Sequence, residues 1–150
     1  MSVEKQLMED MKLAMKSGNK IERDTIRMLR AQIKLASIDK KDELNEAELA
    51  QVLQKEAKKR KEAIEMFQQG NRQDLVKKEE SELEIISTYL PEQLSDKDLD
   101  KIITEAIESL QVTSEKDMGR VMGAIMPEVK GKADGKVVQQ KVKEHLAKLS

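Results

Sequence analysis

The sequence predicts an all-α protein of four helices followed by three. Apolar residues recur at three- and four-residue spacing through most of the 150 residues. Capping residues, glycines and two prolines punctuate that pattern at helical lengths, and no segment alternates as a half-buried strand would. A chain that is 38% charged and only 1% aromatic can be disordered, but here 28 basic groups nearly balance 29 acidic ones. Balanced charge on a periodic apolar background favours folded helices with solvated outer faces.

The elements follow in order. Leu7, Met11, Ala14 and Met15 fit one face of a first helix, which Gly18 can end. Asn19 can cap a second, carrying Ile21, Thr25, Leu29, Ile33 and Ala36. Residues 39–44 are polar and read as a loop. Asn45 with Glu48 three residues on forms a capping-box variant opening a long third helix through Leu49, Val52, Leu53, Ala57, Ile64 and Phe67, closed by Gly70. Asn71 with Asp74 then starts a fourth, bearing Leu75, Leu83, Ile86 and Leu90 and stopped by Pro91.

Pro91 to Ser95 breaks the pattern and marks the best domain boundary, giving an N-terminal bundle over 1–93 and a smaller domain over 94–150. Ser95 with Asp98 opens the fifth helix, whose stripe is Leu99, Ile102, Ile103, Ala106, Ile107 and Leu110. Ser114 with Asp117 caps a sixth, carrying Met118, Val121, Met122, Ile125 and Met126 and ended by Pro127. A turn over residues 130–135 leads to a last helix with Val137, Val138, Val142 and Leu146. The net charge of −1 hides an asymmetry: residues 95–117 hold three basic against seven acidic groups, and residues 118–150 hold seven against three.

The basic end comprises Arg120, Lys130, Lys132, Lys136, Lys141, Lys143 and Lys148. Lysines neutralise phosphates without reading sequence, and the start of the last helix adds N–H donors and a favourable dipole; a merely solvated face is the other reading. With Phe67 and Tyr89 as its aromatic residues, the chain lacks platforms for base stacking, so an RNA target would be gripped by shape and backbone. Gly119 and Gly123 lie four apart inside the sixth helix, where each glycine costs about 1 kcal/mol relative to alanine. Something must therefore approach that face closely, either a neighbouring helix or an outside partner. Met118, Met122 and Met126 form a parallel stripe, read either as adaptable core or as a docking surface. Lys55, Lys58, Lys59, Arg60 and Lys61 wrap around the third helix beside Glu56, Glu62 and Glu65 and read mainly as a salt-bridged surface, with an RNA or protein contact as the other reading.

Catalysis has little support. His145 stands alone in the last helix, and one isolated histidine builds neither a triad nor a metal site. Zero cysteines remove thiolate chemistry. The acidic run Glu79, Glu80, Glu82 and Glu84 lacks a calcium-loop pattern and reads as a solvated face. Residues 131–136 resemble a phosphate loop only superficially: three residues separate the glycines, Val137 follows the lysine, and no strand precedes. No catalytic residue, cofactor or metal is therefore expected. The longest stretches without charge are seven residues, too short for a membrane span. The N-terminus has no apolar signal region, and a cytoplasmic location is the expectation.

Several runs together resemble the YqeY family: residues 89–94 (YLPEQL), 117–127 (DMGRVMGAIMP) and 131–135 (GKADG), with residues 27–30 (RMLR) and 71–75 (NRQDL). YqeY proteins are similar to the tail of GatB, the B subunit of the tRNA-dependent amidotransferase, a glutamine-dependent carbon–nitrogen ligase. The resemblance implies a helical bundle joined to a three-helix tail-like domain. In GatB the tail contacts tRNA while amide transfer occurs in a separate domain, for which these 150 residues hold no counterpart. It implies no catalytic residue, and tRNA contact around Gly119, Arg120, Gly123, Lys130, Gly131, Lys132 and Lys136. Expected partners are thus tRNA and, as the alternative, a synthetase or amidotransferase complex on which the chain docks as an adaptor; neither DNA nor a membrane is expected.

Overall fold

A computed structural model describes residues 2–149. These residues form seven α-helices: α1 (Val3–Ser17), α2 (Lys20–Lys40), α3 (Glu46–Gln69), α4 (Gln73–Ser87), α5 (Asp96–Leu110), α6 (Met118–Val129) and α7 (Gly135–Ala147). The all-α class is as the sequence predicts. Five of the seven begin at a side-chain cap: Ser2, Asn19, Asn45, Ser95 and Asp134 each accept a backbone N–H of the first turn. Asn45 with Glu48 and Ser95 with Asp98 form full capping boxes.

The chain divides into two compact units, Met1–Leu90 and Pro91–Ser150. In the first, α3 packs on α4, α1 on α2, and α2 on both α3 and α4. Its core joins Leu7, Ile26, Leu29, Ile33, Leu49, Leu53, Ala57 and Ile86. The Tyr89 hydroxyl donates to Asp10, tying the segment after α4 to α1. Burial, followed by that hydrogen bond, pushes the phenol's pKa up. In the second unit α5, α6 and α7 pack on one another around Leu99, Ile103, Val112, Val121, Ile125, Val129, Val138, Val142 and Leu146. Both cores are aliphatic; Phe67 and Tyr89 are half-buried.

The structure corrects several expectations. Asn71 caps nothing: it adopts a left-handed conformation (φ 57°) just after α3, which asparagine tolerates, and α4 starts at Gln73 without a side-chain cap. α2 runs to Lys40, shortening the loop, and α4 ends at Ser87, before Leu90 and Pro91. Met15 and Ile21 are exposed, while Ile26 is fully buried. Ser114 opens a single 3-10 turn, Glu115–Asp117, rather than α6 itself. Pro127 does not end α6, which continues to Val129. Its missing N–H removes one bond near the helix end, the Lys130 N–H still reaches Met126 O at 2.9 Å, and burial of Ile125 and Val129 holds the last turn on the core.

Candidate nucleic-acid interface

The outer face of α6 is bare at two positions, beside exposed Arg120, Ala124, Pro127 and Glu128. Gly119 and Gly123 are exposed, and a Cβ added at either would meet nothing within 4 Å. The neighbouring-helix reading of this pair is therefore wrong: the buried face of α6 is Val121, Ile125 and Val129, and the glycines look outward. Lys130, eleven residues after Gly119, falls on the same line because about three turns separate them. Arg120 flanks the line, half-tethered by Asp117 (3.6 Å) and by the Leu110 carbonyl (3.4 Å).

The turn after α6 is built to hold its backbone fixed. Gly131 is buried at φ 80°, a left-handed position that disfavours other residues. Its carbonyl accepts from Gln93 Nε2 at 3.0 Å, and the Lys132 carbonyl accepts from Leu94 N–H at 2.8 Å. Asp134 then caps α7 by accepting the Lys136 N–H. With both carbonyls bound, Lys132 is exposed on the turn, and Lys136 sits exposed in the first turn of α7. A lysine there opposes the helix dipole, with no acidic residue in that turn to offset it. Lys130, Lys132 and Lys136 enter no ion pair among the described residues. Gln93 is a positioning residue that the sequence did not single out; its signal was adjacency to the Pro91 break.

Not all of the basic end is available. Lys141 on α7 pairs with Asp100 (3.1 Å) and Asp96 (3.9 Å) on α5, and His145 Nε2 lies 2.9 Å from the same Asp100 oxygen. The acidic fifth helix and the basic last helix thus partly neutralise each other. The hydrogen bond to His145, then that from Lys141, holds the Asp100 carboxyl below the usual range. A lowered carboxyl pKa contributes stability above the unfolded value and loses it as pH falls through the folded one. Asp100→Asn is thus expected to flatten the acid limb of the second unit's stability-versus-pH curve, read by thermal melts from neutral pH down past the normal aspartate range. An unchanged limb would show the contact to be thermodynamically silent.

The other candidates resolve differently. Met118, Met122 and Met126 are half-buried against the core, so the stripe is packing rather than a free docking surface. In the third-helix cluster Glu56 is buried, and Lys59 (3.2 Å) and Arg60 (2.7 Å) pair with it. Arg60 also lies 3.6 Å from Glu82 of the acidic run. Burial, then repulsion from Glu82, raises the Glu79 pKa. No group of three His, Cys, Asp or Glu among the described residues could hold a metal ion, and no described helix is long and apolar enough to cross a membrane.

Comparison with known proteins adds a family. A family model described as "Yqey-like protein" matches residues 4–146. The chain is 34% identical to a protein of Pyrenophora tritici-repentis named "Altered inheritance of mitochondria protein 41, mitochondrial", over 92% of this chain and 77% of that one. It is 42% identical to the same-named protein of Lachancea thermotolerans, over 56% of this chain and 46% of that one. For the Clavispora lusitaniae protein of that name the identity is 34%, over 80% and 69%. The chain thus spans about half to three quarters of these relatives. The cytoplasmic expectation is overturned by these names, which are mitochondrial. A charge-balanced, cysteine-free helical chain suits either aqueous compartment, so composition carried no information on the choice.

Proposed function

Because the chain belongs to the Yqey-like protein family, we propose that it is a non-catalytic module that binds structured RNA, tRNA in particular, through its second unit. One observation carries the reading: two helical glycines face open space, where nothing in the second unit repays their cost. Two positions without side chains let the helix approach a sugar–phosphate backbone closely at that point. Lys130 lies on that line, Lys132 projects from the turn beyond it and Lys136 from the start of α7, supplying charge where phosphates would lie. Gly119, Arg120 and Gly123 form the close-approach surface, and Gly131 shapes the turn that presents Lys132. The aromatic-free surface fits recognition of duplex shape rather than of splayed bases.

Gly123→Ala separates folding from binding. It is expected to stabilise the second unit by about 0.5–1 kcal/mol, since alanine is the better helix former and its methyl meets no neighbour. The same methyl is expected to weaken tRNA binding in a filter titration. Stabilisation with unchanged affinity would remove the glycine face from the interface.

A further inference from the structure

A groove of about 750 Å³ runs along α1 and α2 of the first unit, open to solvent and apart from the RNA reading. It exists because α1 packs on α2 and fully buries only Leu7 and Ala14. Leu7 and Ile33 line it as buried residues, while Met8 and Ile38 stand 41% and 62% exposed beside them. Lys5, Arg30 and Lys34 also line it, and none of the three enters an ion pair among the described residues. Arg30 is half-buried, and its Nη1 donates to the thioether of Met11 at 3.7 Å. A thioether is a weak acceptor, so the planar guanidinium lacks the carboxylate its geometry suits. Glu4 and Glu43 are at the groove too, but Glu4 lies in the first turn of α1, where the helix's positive end already partners it. Glu43 enters no ion pair among the described residues either, so the lining holds three basic against two acidic side chains and is positive on balance beside exposed apolar walls.

We propose that this groove docks an acidic amphipathic helix from a partner protein, with a carboxylate on Arg30 and apolar side chains one turn away between Met8 and Ile38. Helix-in-groove recognition needs this pairing of an apolar seat with a charge that fixes register. A nucleic-acid backbone would meet Arg30 but would lay hydrated phosphates against Met8 and Ile38, which is unfavourable.

The test uses the full chain and two synthetic helical peptides, one with Leu and Glu at i, i+4 spacing and the other with Lys in place of Glu, titrated by fluorescence anisotropy. The Glu peptide should bind saturably and the Lys peptide at least about 10-fold more weakly, as expected for a charge-assisted pair. Arg30→Gln should erase that preference, and Ile38→Asp should abolish binding, both with unchanged circular dichroism. Equal affinity for the two peptides, no binding of either, or indifference to Arg30→Gln overturns the proposal. Photo-crosslinking from position 38 in cells adds a second readout: attachment to an acidic helical segment of another protein supports the proposal. Attachment to a second copy of this chain, to RNA or to lipid overturns it.

Discussion

Reversing three charges together, Lys130→Glu, Lys132→Glu and Lys136→Glu, is expected to weaken tRNA binding by at least about 100-fold while leaving the helical spectrum unchanged. Each lysine that neutralises a phosphate releases roughly one counterion, so the slope of log affinity against log salt should fall by about 3 when all three are lost. None of them is buried and none holds a salt bridge among the described residues, so little of the fold depends on them. Lys141→Glu is the contrasting control. That lysine is engaged with Asp100 and Asp96, so its reversal should lower the stability of the second unit more than it lowers RNA affinity. The two variants exchanging these effects would show that the contact surface lies on α7 instead of the turn.

The second large effect is in the first unit. Arg60→Ala is expected to destabilise it by about 3 kcal/mol, because removing one partner leaves a buried carboxylate uncompensated. Glu56 is 3% exposed and receives Arg60 Nη1 at 2.7 Å, while the same guanidinium approaches Glu82 of α4. Lys59 remains on Glu56 after the change, but its side chain is half exposed and screens poorly into the interior. Replacing Glu56 and Arg60 together by Met should recover most of the loss, since an apolar pair needs no charge compensation. Urea denaturation of both variants checks this; a single-variant loss under about 1 kcal/mol would mean that solvent already reaches the pair.

Much of the helical framework could be read directly. Asn19, Asn45 and Ser95 cap as their spacing predicts, because an N-cap is a contact within three residues and needs no tertiary information. Where that logic failed, a longer-range term won. Asn71 resembles a cap, but the turn after α3 required a left-handed residue and took it. Pro127 resembles a stop, yet the burial of Val129 outweighs one lost backbone bond. Glu56 looks like one more surface charge on a lysine-rich helix, and only the packing of α3 against α2 and α4 places it inside. The cytoplasmic expectation, drawn from composition and from the lack of an apolar N-terminal run, is contradicted by the mitochondrial names of the relatives; neither feature encodes an address.

For the candidate site, spacing alone placed Gly119 and Gly123 on one face and put a glycine turn before α7, because these are properties of a local helix and a local turn. Which side of α6 faces the core could not be decided that way. Val121 and the glycines alternate around the same helix, and the choice depends on what α5 and α7 offer for burial. Tertiary structure settled it: the valine and isoleucine face went inward and the glycines outward, while α5 took Lys141 out of the basic end. The sequence by itself determined the helices, the caps at Asn19, Asn45 and Ser95, and the total charge; the packing of three helices decided which of those charges, and which bare stretch of backbone, are left facing solvent.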